Sequence, residues 1–413
     1  MRPYTNIYAV QLGASPIQMG WLRSLTSLSS TVTQVAWGIV VDSVGKRVFF
    51  IVFGGIVASL LWIPMVYVTA PWQLITLLVL QAFIGSMTAP AWASLIADLV
   101  PFEVRGSVTA TINTAAAIGS TLAALISGAF MSLVGEASGS GYTVPLLAAA
   151  LLGLTSSIVM LAMKEPRNPK GPSPRAPRLE AFRSNLEFRR FCGLAATHGF
   201  FMALPHPLFP ITLLRVLRVN AFEAASLYVI DGVTVMLTAK YLAGRIVDRV
   251  GRKPLLIVGQ TGTFIAPTAY IFATSLEPIY LQVIASAIFL AFSEVASFAY
   301  LLDILSRSDV GTFMAVYHMT AGFFSFLGSM TGGYLASAFI SLGIPELTST
   351  QLVYLFSAIG RFGSGLLYYA IKEPHKYPST LKDEFLKGLG FIRRRLLSTS
   401  REDLSFSSQD SPP

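Results

Sequence analysis

Charge and cysteine are what this chain has least of. Only 12% of its 413 residues are Asp, Glu, Lys or Arg, against 53% apolar, and the mean hydropathy is +0.62. That balance excludes a soluble globular protein of this length and predicts an all-α chain that crosses a membrane many times. The single cysteine, Cys192, excludes an internal disulfide and leaves no Cys/His cluster, so neither metal nor cofactor is expected. Catalytic signatures are missing too. There is no H-E-x-x-H and no G-x-S-x-G, and the stretch from Gly38 to Lys46 has the wrong spacing for a phosphate loop, with Arg47 where Ser or Thr is required. Met1 to Gly13 lacks the basic region and apolar core of a cleavable leader. No enzyme is expected.

What is there is a series of long apolar runs. A membrane helix takes about 20 residues, and the runs that satisfy this are roughly 24–42, 48–69, 72–97, 107–134, 143–163, 189–214, 222–246, 254–274, 278–304, 310–341 and 350–371. Ahead of them, the segment from Met1 to Gly13 is too short to cross, and the internal repeat described below predicts that roughly 20 residues of a first helix are missing from this sequence, the alternative being a half-helix that lies in the interface. The net charge of +9 and pI near 9.6 do not call for nucleic acid, because the basic residues sit in short gaps between apolar runs.

One of those gaps occurs twice. Gly244-Arg245-Ile246-Val247-Asp248-Arg249-Val250-Gly251-Arg252-Lys253 repeats Gly38-Ile39-Val40-Val41-Asp42-Ser43-Val44-Gly45-Lys46-Arg47, with both glycines, the aspartate and the basic pair in the same places. Gly38 and Gly244 are expected to let helices approach closely, and Gly45 and Gly251 to allow the chain reversal. Other pairs keep the repeat: Lys164-Glu165-Pro166 answers Lys372-Glu373-Pro374, Asp98 answers Asp303, and Gly128 answers Gly333. The chain is therefore a duplication. Its predicted units are 1–163, a basic and proline-rich linker over 164–188, 189–372, and a tail over 373–413 that includes a basic amphipathic stretch from Leu381 to Arg395.

The doubled loop resembles the G-x-x-x-D-R-x-G-R-[RK] signature of the major facilitator superfamily (MFS), and the resemblance covers nearly the whole chain. Ser43 departs from the pattern, standing where arginine is usual. The resemblance implies an MFS fold of two six-helix bundles, twelve helices in all, and a secondary transporter of a small solute, with Asp42 and Asp248 helping to close the cytoplasmic side. A monomer is expected. Drug/proton antiporters of that family commonly carry G-x-x-x-G-P-x-x-G-G in the fifth helix; here the run from Gly119 to Gly128 lacks the proline and the paired glycines, which tilts against drug export. A receptor or sensor on the same scaffold is the rival class. Placing the doubled loops inside puts most Lys and Arg in the cytoplasm, so a multi-pass plasma-membrane protein with both termini cytoplasmic is predicted.

Ionisable groups inside a span are expensive and so are candidates for function. Glu294 leads. It lies about nine residues from Asp303, so ~1.5 Å per residue puts it about 13 Å deep, where a carboxyl suits proton coupling or a cationic group. His198 precedes Pro205, Pro207 and Pro210 in a helix expected to line the cavity, and a histidine titrating near neutral pH also fits a proton as coupling ion. Asp231 is a further cavity candidate, with Arg23 or Arg361 as expected partners. His318 and Asn113 occupy equivalent positions in the eleventh and fifth helices, as cavity wall or as interhelical contacts. Lys240 is expected to reach toward the aqueous face and Arg361 to be structural.

Overall fold

The computed structural model describes residues 2–134, 140–163, 185–305 and 310–374. The linker over 164–184 and the tail from 375 onward, including its basic amphipathic stretch, lie outside the described residues. Among those described there are helices and turns and no strand. The helices group into twelve segments: α1 (Arg2–Gln11), α2 (Pro16–Val44), α3 (Arg47–Leu60), α4 (Pro71–Gly85 and Thr88–Leu99), α5 (Phe102–Val134) and α6 (Thr143–Met160) form one half. The other half is α7 (Leu186–Ala203, resumed at Phe209–Ile211 and Thr212–Val216), α8 (Ala221–Thr238, Ala239–Ala243 and Gly244–Val250), α9 (Arg252–Gly262 and Ile265–Ile271), α10 (Glu277–Ile304), α11 (Val310–Ser341) and α12 (Glu346–Leu366). Among the described residues, seven stretches, in α3, α4, α5, α6, α8, α10 and α11, are long and apolar enough to cross a membrane. The rest are short, broken or polar, and α2 is polar because of the hydroxyl side chains along one side.

Local chemistry sets the ends. Ser15 caps α2 in a capping box, its Oγ accepting from the Gln18 amide while Gln18 Oε1 accepts from the Ser15 amide at 2.9 Å, with Pro16 in the first turn. Gly45 closes α2 at φ 72° and Gly251 follows α8 at φ 105°, so both repeated glycines hold backbone that a side chain would strain. α7 and α9, read from sequence as continuous runs, are broken. Pro205, Pro207 and Pro267 have no N–H to give to the carbonyls of Phe201, Ala203 and Thr263 four residues earlier. Those carbonyls are served from elsewhere in the fold, as described below.

The halves meet mainly along α2 with α11, α5 with α8, and α1 with α7 and α8. At the end opposite the doubled loops one apolar core is shared by both, from Tyr4, Tyr8, Met19 and Leu74 to Leu208, Ile211, Ala225 and Tyr354. Gly20 and Gly333 touch there, a Cβ on Gly20 lying 3.4 Å from the Gly333 Cα. At the loop end the cores are separate. Phe188, Leu255, Tyr300 and Phe313 belong to one half, and Val41, Phe50 and Met87 to the other. Consistent with that, Asn113 to Ser120 of α5 are exposed on every face over more than two turns, as are Met236 and Leu237 of α8.

Candidate functional site

Between the halves lies a cavity of about 860 Å³. Its principal wall is α2, where Arg23, Thr26, Ser27, Ser30 and Gln34 recur at helical spacing on one face. Gln81, Ser86 and Thr88 of α4 form the adjoining wall, with Trp62 beyond α3 and Thr5 and Asn6 of α1 toward the closed end. The second half contributes Ala203 and His206 from the break in α7, and Ser325 and Ser329 from α11. Arg23 and His206 are the ionisable groups, and no Asp or Glu lines the cavity among the described residues.

Much of the hydroxyl chemistry is already directed. Thr26 donates to the Leu22 carbonyl, Ser30 to that of Ser27 at 2.9 Å, and Gln81 gives its amide to the Ala58 carbonyl at 2.8 Å. Thr33 and Ser86 join α2 to α4 at 2.7 Å. Ser325 and Ser329 donate to Gly199 and Ala203 carbonyls at 3.5 and 3.1 Å, the latter being one of those that a proline leaves without its helical donor.

The candidates named from sequence do not gather here. Glu294 and Asp231 sit on the facing helices α10 and α8, with Asp231 the charged neighbour that acts on Glu294, and neither lines the cavity. Glu294 is exposed and Asp231 half-buried. Tyr317 of α11 is also near Glu294 and hydrogen-bonds Ser297. His318, edge-on to the Tyr317 ring, and Asn113 are both exposed in the loop-end half of their helices.

His198 is 4% exposed inside the second half, its Nδ1 2.9 Å from Ser364 Oγ and its Nε2 3.4 Å from Thr263 Oγ1. Arg361 lies beside it, 1% exposed, donating to the carbonyls of Met202 at 2.8 Å, Thr263 at 3.0 Å and Phe201 at 3.5 Å. Ser357 also donates to the Phe201 carbonyl, at 2.8 Å. Two of these carbonyls lose their helical donors to Pro205 and Pro267, and that of Met202 loses its own because the His206 amide turns back to Ala203. Arg361 thus closes the broken ends of α7 and α9, and Asp231 is not among its partners.

At the loops, the arginine of each basic pair finds the aspartate of the neighbouring span. Arg47 meets Asp98 at 2.5 Å, and Arg252 Nε meets Asp303 at 2.8 Å. In the motif register Arg47 aligns with Lys253, yet Arg47 and Arg252 each begin a helix, because Lys46 lengthens the first loop by one residue. Asp248 is 74% exposed and 3.7 Å from Arg252; Asp42 accepts from Ser94 at 3.3 Å. Lys46 and Arg249 are exposed. Glu373 accepts from the amides of Arg252 and Lys253 at 3.0 and 2.9 Å, capping α9, and Lys253 Nζ donates to the Tyr369 carbonyl at 2.8 Å. Gly38 and Gly244 are not points of close approach: the nearest atom to an added Cβ is 3.7 Å away at Gly38 and 3.4 Å at Gly244.

Sequence reasoning missed His206, Gln34, Gln81 and the hydroxyl face of α2. The signal was present as Arg23, just ahead of a predicted span, and Thr26, Ser27, Ser30 and Gln34 within it, all on one helical face.

The geometry has known counterparts. The multi-drug resistance efflux pump PmrA of Streptococcus pneumoniae is 26% identical over 273 residues, 62% of this chain. The match spans 65% of that pump's length. An uncharacterised MFS-type transporter of Methanocaldococcus jannaschii is 21% identical over 388 residues, 89% of this chain and 92% of its own. Among solved structures, a bacterial homologue of the human lysosomal transporter Spinster, inward-facing and occupied, superposes with a TM-score of 0.72 at 17% identity, covering 91% of this chain and 96% of its own. A mutant of the nucleoside transporter NupG gives 0.72 at 15% identity, with 90% and 94% covered. The sequence model of the Major Facilitator Superfamily matches residues 3–206 and again 191–402. With that match running through both halves, the chain belongs to the Major Facilitator Superfamily.

Proposed function

We propose that the protein is a secondary active transporter that carries a small solute across the plasma membrane by alternating access, with its two halves, 1–163 and 189–372, as the rocking units. The observation that carries this is the asymmetry of packing: one apolar core joins the halves at one end, separate cores hold them at the other, and a polar cavity lies between. The concentration of Lys and Arg at the doubled loops supports a cytoplasmic placement of that end and of both termini. In this reading the structure is the state open to the cytoplasm, and the charged loops steady each half while the halves part. The solute passes unaltered, driven by a gradient.

Asp231 and Glu294 are the proposed coupling pair. Two carboxylates brought together on facing helices in a low-dielectric region favour holding a shared proton or a cation. Glu294→Gln should abolish the dependence of uptake or efflux on an imposed proton gradient in proteoliposomes while leaving solute counterflow in place. Unchanged gradient dependence would remove Glu294 from the mechanism. His198, held between Ser364 and Thr263, is assigned a packing role.

Efflux of drugs is the second reading, favoured by the likeness to the pneumococcal pump and opposed by the missing proline and glycine pair in α5. Sensitisation of cells to a drug panel on deletion of the gene separates it from uptake of a nutrient.

A further inference from the structure

We infer that the cavity takes a small, polyhydroxylated organic monoanion, with its negative group held at Arg23 and His206 and its hydroxyls read by α2 and α4. This rests on the transporter reading above and names the substrate class of that same cavity.

The charge comes first. A guanidinium on the cavity wall offers an anion charge-assisted, bidentate hydrogen bonds. Arg23 opens the polar face of α2, and His206 lies across from it at the break in α7. With no carboxylate in the described lining, a cation would meet positive charge and no counter-charge. A phosphate ester or other dianion would ask for a second strong cation. The nearest buried one, Arg361, is spent on the carbonyls of Phe201, Met202 and Thr263 inside the second half.

The walls then select hydroxyls. Thr26 and Ser30 already donate to backbone carbonyls of their own helix, and Gln81 donates its amide to Ala58. What Thr26 and Ser30 have left to offer is acceptor oxygen, and Gln81 keeps its carbonyl oxygen and a second N–H, so all three can pair with the O–H groups of a solute. Trp62 adds a flat apolar face of the kind that covers the C–H side of a sugar-like chain. The volume suits a molecule of that size, being within the usual range for small-ligand pockets. Recognition is placed mainly in the first half, because Ser325 and Ser329 of α11 turn their hydroxyls to Gly199 and Ala203.

The test is counterflow in proteoliposomes of the full chain, using glycerate, gluconate and glucuronate against the matched neutral solutes glycerol and glucose and the lipophilic cation ethidium. At least one acid is expected to exchange about tenfold faster or more than its neutral relative, the discrimination a single charge-assisted contact provides. Arg23→Gln should erase that preference, and Arg23→Lys should restore part of it. The wild-type selectivity needs no variant, so misfolding of Arg23→Gln would not shield the claim. Exchange of glucose, glycerol or ethidium in preference to every acid would overturn the substrate class and leave the transporter reading standing. Retention of the acid preference in a folded Arg23→Gln protein would overturn the assignment of Arg23. If no solute of any charge exchanged, the substrate class and the transporter reading would both fall.

Discussion

Arg361 shows what a single charge does when it has no carboxylate to answer. Its guanidinium gathers three carbonyls from two broken helices, and hydrogen bonds to a charged group are worth about 1.5–3 kcal/mol each when the alternative is an unserved buried oxygen. Arg361→Leu should therefore lower stability by about 3 kcal/mol or more, read as a fall in the thermal midpoint of detergent-solubilised protein; a midpoint unchanged within about one degree would contradict the role. At the loops, exposure separates two contacts of one arginine. Arg252→Ala removes a contact to the mostly buried Asp303 and should be strongly destabilising, whereas Asp248→Asn, at 74% exposure, should cost less than about 1 kcal/mol. Equal losses in a denaturation series would contradict that ordering. The sequence made Arg361 legible as structural, since one cation in an apolar run has few other uses. Its partners were illegible, because carbonyls freed by Pro205 and Pro267 carry no mark in a residue pattern, and the same holds for His198.

At the level of elements, glycines of α11 set how closely it approaches α7. A Cβ on Gly328 would lie 2.9 Å from the Phe200 carbonyl carbon, and one on Gly332 would overlap the Leu204 carbonyl, so α11 lies against the backbone of α7 just where α7 breaks. Gly332→Ala should cost about 1–3 kcal/mol by forcing the two helices apart, while Gly38→Ala, with its nearest neighbour at 3.7 Å, should leave the thermal midpoint in place. The reverse order would show that the repeated motif glycine, not α11, sets the spacing. The helices from α2 onward were readable from apolar runs, whereas α1 lies in a segment with no such run. The break in α9 was not readable, because Thr263-Phe264 reads as ordinary helix and Pro267 acts four residues upstream of itself. α2 begins well before its apolar run because Pro16 to Arg23 face the shared core and the cavity rather than lipid.

For the molecule as a whole, duplication was the most legible property, since motif, aspartates and glycines recur in register. The family followed from the same residues. The splay of the halves was not legible: a sequence encodes which faces are apolar, but the contacts of α5 with α8 can persist at one end and be absent at the other without any change of pattern. The polar lining of the cavity was hidden for the same reason, because a few positions on α2 and α4 decide it among long apolar runs. The measurement that tests alternating access most directly uses the scarcity of cysteine. In a Cys192→Ser background, Gln34→Cys places one exposed thiol in the cavity, to be labelled in membrane vesicles by an impermeant maleimide from one face at a time. The account predicts prompt labelling from the cytoplasmic face and labelling from the outer face only at the slower rate at which the halves exchange. Prompt labelling from the outer face, or none from the cytoplasmic face, would contradict it.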